Sequence, residues 1–210
     1  MIDRRGVAIN RPYLQAALLT VIAGIADAVG YITMGGVFAA NMTGNTVLAG
    51  IALAEGHTVQ AGLLLAPLMA FFVGAMLAYL LLRLWHNQTI PLLIETLLIA
   101  VVALVPMDIE PAVFVLALAM GVQANAVTHF GGAAISTVVV TSTLARTAEA
   151  ALDLVWPTEK PAPLSAPKPR LFALTWTGYL VGAVAGALLL HVMPWPLLVP
   201  AALLVLVIFL

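Results

Sequence analysis

Apolar positions in this chain gather into long blocks rather than alternating at the period of a surface helix or strand. Runs of about 20 apolar residues, enough to cross a bilayer as a helix, recur at roughly 12–33, 37–54, 61–84, 90–107, 111–130, 134–152, 171–192 and 195–210. Pro91, Pro111 and Pro196 stand at segment starts, where a missing N–H costs nothing. The stretch 153–170, rich in proline and carrying Lys160, Lys168 and Arg170, reads as the one true loop and is assigned to the cytoplasm.

The blocks also repeat. Asp27-Ala28-Val29 returns as Asn125-Ala126-Val127, and Thr43-Gly44-Asn45 as Thr141-Ser142-Thr143, at the same interval in both cases. Ile90-Pro91-Leu92-Leu93 is echoed by Trp195-Pro196-Leu197-Leu198 at a slightly longer interval, which suits an enlarged loop around 153–170. Two diverged copies of a four-segment unit follow, one over about 12–107 and one over about 111–210. Together they predict an all-α integral membrane protein forming a single membrane domain over 1–210. Many membrane proteins with internal repeats of this kind are transporters.

The second segment of each copy is the unusual one. Each follows a Gly-Gly pair, Gly35-Gly36 and Gly131-Gly132, which frees the backbone. The first gathers Asn41, Thr43, Asn45 and Thr46; the second gathers Ser136, Thr137, Thr141, Ser142, Thr143 and Arg146. Irregular backbone is tolerated at membrane depth only where protein or a wet cavity surrounds it, so both read as broken or re-entrant segments. The expected architecture is six full crossings plus two re-entrant segments, with eight crossings as the alternative. Lysine and arginine positions favour six: with the N-terminus inside, Arg4, Arg5, Arg11, Arg83, Lys160, Lys168 and Arg170 all fall on the cytoplasmic side, whereas eight crossings misplace Arg83. Three crossings per copy make the halves inverted; four make them parallel.

Composition agrees with lipid as the solvent. Of 210 residues, 63% are hydrophobic and 8% charged, with mean hydropathy +1.13; soluble domains carry about 25% charged residues. No cysteine is present, which excludes disulfide and thiolate chemistry. Arg4, Arg5 and Arg11 before an apolar run resemble a secretion signal, but the run is too long and its second half belongs to the repeat, so it is expected to stay as a span. In the segment 171–192, Gly178, Gly182 and Gly186 form a small-residue stripe, matched by Ala70, Gly74 and Ala78. Such stripes let helix backbones approach closely, inside the bundle or between protomers of a homo-oligomer.

Asp27-Ala28, Tyr31 and the following Asn41-Met42-Thr43-Gly44-Asn45-Thr46 resemble the YoaK family of bacterial membrane proteins, and the whole chain fits it in length and segment order. The resemblance implies a multi-pass protein of the bacterial inner membrane, of a kind described as transporters or permeases. It brings no substrate and no site residues. Where family members often echo Thr-Gly, this chain has Thr141-Ser142-Thr143.

The candidate chemistry sits in the polar positions. Asp27 lies within the hydrocarbon when counted from Pro12 at about 1.5 Å per residue, and an ionisable group there is by default a functional hypothesis. It reads either as a cation or proton site or as a hydrogen-bonded residue bridging to the Thr-Gly-Asn segment; its mate Asn125 supplies no charge. Asn41, Thr43, Gly44 and Asn45, with Asn125, Thr141 and Thr143, complete the expected solute or ion site, at the repeat interface. A half-helix starting near Asn45 would aim free N–H groups at the midplane. Arg146 is a possible charge partner, for a buried carboxylate or for Glu149. Glu95, about one turn into its segment, is expected to reach the interface near Arg83 or His86. His57, His129 and His191 read as interfacial or capping groups. No two histidines have metal-ligand spacing, and no catalytic motif or phosphate-cradling loop occurs. The expectation is therefore a non-enzyme without cofactor, metal or nucleic-acid partner. The leading reading is a secondary transporter or facilitator of a small polar solute or ion; a passive channel and a membrane assembly or scaffold protein are the alternatives.

Overall fold

A computed structural model describes residues 11–126, 129–130, 133–134, 148, 152 and 169–210. Its described elements are α1 (Arg11–Thr33), α2 (Met42–Ala54), α3 (Thr58–Trp85), α4 (Thr89–Leu104), α5 (Ile109–Ala126), the two-residue strands β1 (His129–Phe130) and β2 (Ala133–Ala134), α6 (Pro169–Val192) and α7 (Leu198–Phe209). Among the described residues the regular structure is helical apart from that short antiparallel pair. Among the described residues four helices are long and apolar enough to cross a membrane: α1, α3, α5 and the Ala173–Val192 part of α6; α2, α4 and α7 are shorter apolar helices.

Two sequence boundaries move. The 37–54 block is helical only from Met42, because Gly35 and Gly36 take positive φ (75° and 77°) and turn the chain back after α1. The 111–130 block ends as a helix at Ala126, and His129–Phe130 pairs with Ala133–Ala134 instead. Hydropathy reports burial in lipid and is blind to this change of backbone. The 134–152 segment and the 153–170 loop fall almost wholly outside the described residues.

The directions of the helices follow from which ends meet. Thr33 and Met34 share a cavity wall with Val102 to Met107 and Trp195. Tyr31, Gly35 and Gly36 share another with Ile51, Glu55 and Gln60. Met34 and Gly35 meet Ile109 and Glu110 in a third. One end of the bundle thus holds the C-terminal ends of α1, α2, α4 and α6 and the N-terminal ends of α3, α5 and α7. At the other end the Arg11 guanidinium donates to the Leu210 carbonyl (3.3 Å), joining the start of α1 to the close of α7. The helices α1, α3, α4, α5, α6 and α7 therefore alternate in direction. Residues 34–41 run back along α1, and α2 rises again to the end from which they came. At 13 residues α2 is about 20 Å long, short of the roughly 30 Å hydrocarbon core.

The two most extensive interfaces are α1 with α6 and α3 with α5, each a parallel pair. Glycine sets both. A Cβ on Gly178 would strike Thr20, one on Gly182 the Val21 backbone and one on Gly186 the Ile25 backbone, while Gly24 faces Tyr179 and Ala183 in return. In the second pair Gly74 meets the Leu118 carbonyl and Gly121 the Phe71 carbonyl. Close backbone approach replaces the hydrophobic drive that lipid removes. The Gly178/Gly182/Gly186 stripe is therefore filled by α1 within the chain and leaves no room for a second protomer on that face. Outward surfaces are aliphatic and aromatic, as at Met69, Phe72, Val73 and Met76 of α3, which suits acyl chains. Further interfaces join α4 to α5, α4 to α7, α1 to α7 and α2 to α3, with smaller contacts between α1 and α5 and between α3 and α4.

Candidate functional site

The residues preceding α2 have backbone groups that lipid cannot satisfy, and the Asn-Thr-Gly-Asn cluster satisfies them. Asn41 is the N-cap of α2: its Oδ1 accepts from the Gly44 N–H at 3.0 Å, the arrangement asparagine favours at a helix start. Asn45, fully buried, accepts from the Phe38 N–H (2.9 Å) and donates to the Phe38 carbonyl (2.8 Å) through one side-chain amide. That pair mimics a strand partner and holds the returning segment against α2. Gly44 leaves room for the Phe38 ring and the Asn41 amide, which lie 3.0 and 2.9 Å from where a Cβ would be. Phe38 stacks on Tyr31, ring centroids 4.7 Å apart, which ties the segment to the end of α1.

Asp27 closes the arrangement from α1. It is buried, and its Oδ1 accepts from the Ala40 N–H (2.6 Å) and the Asn41 N–H (3.3 Å). Its Oδ2 accepts from the Tyr179 hydroxyl of α6. A carboxylate beside the N-terminal end of α2 also meets the positive end of that helix dipole. Just ahead of α2 the Ala40 and Asn41 N–H groups thus face Asp27, while the Gly44 N–H of the first turn, expected to face a cavity at midplane, is taken by Asn41. One side chain joins α1, the returning segment and α6.

Asn125, the residue aligned with Asp27 in the sequence pattern, makes a link of the same kind. Asn125 on α5 donates through Nδ2 to the Ala75 carbonyl of α3 at 2.9 Å. Asp27 thus joins α1 to α6, and Asn125 joins α5 to α3. Nearby, Gln123 on α5 donates to the Leu19 carbonyl of α1 at 2.9 Å, in full burial.

The structure therefore brings Asp27, Asn41, Gly44 and Asn45 into one network, with Thr43 exposed on the first turn of α2 and Asn125 on a separate interface. Thr141, Thr143 and Arg146 lie outside the described residues. Tyr179 and Gln123 were missed by sequence reasoning. Tyr179 stands next to Gly178 of the stripe, and Gln123 two residues before Asn125; a polar group beside a helix-contact position is the signal that could have found them. Glu95 requires a correction. Instead of reaching the interface near Arg83 or His86, it is fully buried, because it shares the inward face of α4 with Pro91 and Ile99, four residues to either side. Arg83 and His86 are exposed.

A separate recess lies elsewhere. A cavity of about 430 Å³ opens between the N-terminal halves of α3 and α5, floored by Met34, Gly35 and Val37. Its walls are apolar except for Gln60 and Glu110. Pro67 inside α3 has no N–H to give the Leu63 carbonyl, and both residues line the recess. Asp27, Asn41, Asn45 and Asn125 do not line it; the returning segment that Asp27 and Asn45 hold forms its floor. Among the described residues no cluster of three or more His, Asp or Glu side chains is placed to hold a metal ion.

Comparison with known proteins places this architecture. The chain is 35% identical over 142 residues to the UPF0700 transmembrane protein YoaK of Bacillus subtilis (strain 168), a match covering 61% of this chain and 62% of that protein. The matched stretch is thus less than two thirds of the relative's length. No solved structure matches. The family model described as "Protein of unknown function (DUF1275)" matches residues 15–210, and with nearly the whole chain inside that match, the protein belongs to this YoaK-like family of transmembrane proteins.

Proposed function

We propose that this protein is a secondary transporter or facilitator of a small polar solute or ion, built from two inverted halves. It would reside in a bacterial inner membrane with the N-terminus cytoplasmic. The observation that carries the reading is the 34–54 segment, which leaves one end of the bundle, meets Asp27 inside it and returns to the same end. A spanning bundle gains nothing in stability from irregular backbone at depth; such elements serve where a solute path needs polar backbone.

Inversion has two supports. Exchanging α1 with α5, α3 with α6 and α4 with α7 maps the more extensive interfaces among these six helices onto one another: α1–α6 onto α5–α3, α4–α5 onto α7–α1, and α4–α7 onto itself; the small α3–α4 contact has no α6–α7 counterpart among the described residues. The chain between α5 and α6 also starts and ends at the end opposite the one where α2 finishes, so a counterpart element at 134–152 would enter from the other side. Orientation rests on charge: Arg11, Arg83 and Arg170 lie at or near one end, Glu55, Asp108 and Glu110 at the other, and positive residues favour the cytoplasm.

In this scheme Asp27 and Tyr179 form the joint that holds the first re-entrant element, and the solute path runs beside it from the recess between α3 and α5. No bond-making chemistry is assigned. The test begins with a thermal-shift screen of detergent-purified protein against ions, amino acids, sugars and organic acids, since a ligand of the folded form raises its apparent stability. Hits are then followed as uptake into proteoliposomes. Saturable uptake lowered by Asp27→Asn in protein that still inserts supports the reading; flux linear in concentration points to a channel, and no flux for any solute removes transport.

A further inference from the structure

We propose that Glu95 is a proton-exchanging site of this protein: a carboxylic acid stored in the bundle core that gives up and regains its proton when α4 separates from α5 and α7 during turnover. The inference deepens the transport reading and rests on it. Glu95 is 0% exposed, and neither of its carboxyl oxygens has a hydrogen-bond partner among the described residues. Asp27 shows what this fold does with a carboxylate it needs for structure: three donors surround it. Glu95 has none. A carboxylate left charged in such a place, with no donor and no counter-charge, is far more costly than a neutral acid. A neutral acid with no structural bond to make gives the core nothing that leucine would not give better.

Depth places it where a coupling group would act. Val102 and Ala103 of α4 stand level with Thr33 and Met34 at one end of the bundle. Seven residues back along α4, about 10 Å at the helical rise, Glu95 falls near the level of Asp27. The same surroundings choose the proton over a metal cation. A hard cation requires about six oxygen ligands, and Glu95 has no companion oxygens in any described metal-ligating cluster; a proton requires only one acceptor.

Among the described residues the elements packed on α4 offer no alternative titrating partner. On α5 the titratable side chain is Glu110, exposed at the far end; α7 carries none in its helical span; on α3, Tyr79 and Arg83 are exposed on the outer surface. On α4 itself Glu95 is alone. The step is a simple dissociation. The O–H bond of the acid breaks, the pair stays on the carboxylate oxygen, and the proton passes to water admitted by the opening; reclosure requires its return.

Infrared spectroscopy of the full chain in liposomes tests this without any solute. The carbonyl stretch of a protonated carboxyl group is expected at neutral pH, lost in Glu95→Gln and kept in Asp27→Asn. In D2O that band should shift within the lifetime of the folded protein, because the acid exchanges its proton. Helical circular dichroism and gel filtration matching wild type show that the near-isosteric Glu95→Gln variant still folds. Two results overturn the proposal: no band assignable to Glu95, or a Glu95 band that refuses deuterium until the protein is denatured, which marks a static core acid. Failure of the transport reading is seen separately, as absence of uptake by wild-type proteoliposomes, and does not alter the infrared result.

Discussion

The Tyr179 hydroxyl donates to the carboxylate of Asp27 across the α1–α6 interface, next to the glycines that let those helices touch. The same carboxylate holds the backbone of Ala40 and Asn41. A helix contact and the segment leading into α2 therefore share one side chain, and loosening either should be felt by the other.

Tyr179→Phe removes one donor and leaves the ring packing. The expected loss is about 1–2 kcal/mol, near the upper range for single interhelical hydrogen bonds in membranes. Asp27→Ala, which strands the donors of Ala40, Asn41 and Tyr179, should cost more than Tyr179→Phe, with Asp27→Asn between them. Thermal unfolding in detergent checks the order; equal losses for all three would show that the carboxylate does not act as a joint.

Gly182→Val places methyl groups into the Val21 backbone of α1. Overpacking of this kind costs about 1–3 kcal/mol or more, and here backbone must move, so poor monodispersity and a lowered melting temperature are expected. Gly50→Ala meets nothing within 4 Å and should raise stability by about 0.8 kcal/mol through helix propensity alone. Melting curves of the two variants should move in opposite directions.

Asn45→Ala deletes both bonds to Phe38. Hydrogen exchange at the Phe38 amide should accelerate well beyond that of the α1 core, since local opening sets the rate. Thr43→Ala, at an exposed position on the same turn, should leave that amide unchanged and shift stability by less than about 0.5 kcal/mol. Similar exchange rates in both variants would remove the pinning role of Asn45.

What could be read ahead of the structure was whatever hydropathy and small residues mark directly. The limits of α1 were legible because an apolar run stops at Gly35-Gly36, and those glycines do take positive φ. The closeness of α6 to something was legible in Gly178, Gly182 and Gly186; that the neighbour is α1 was not, since a smooth stripe carries no address. The Asn41–Asn45 cluster announced a break, but the pairing of Asn45 with Phe38 depends on a chain reversal that no spacing encodes. Glu95 was misplaced for a different reason. A helix apolar on all sides has no face to read, so α4 gave no sign of which way its one acid points. Tyr179 was overlooked because tyrosine in a span is ordinarily taken as an interfacial anchor.

The central claim is that residues 34–54 enter and leave the membrane domain from one side. The chain has no cysteine, so single cysteines report without background. Thr33→Cys, Glu55→Cys and Asn87→Cys, all at exposed positions, are treated in intact cells with a membrane-impermeant maleimide. The account predicts labelling at 33 and 55 from outside, and at 87 only after the membrane is opened. Labelling at 33 and 55 from opposite sides would contradict it.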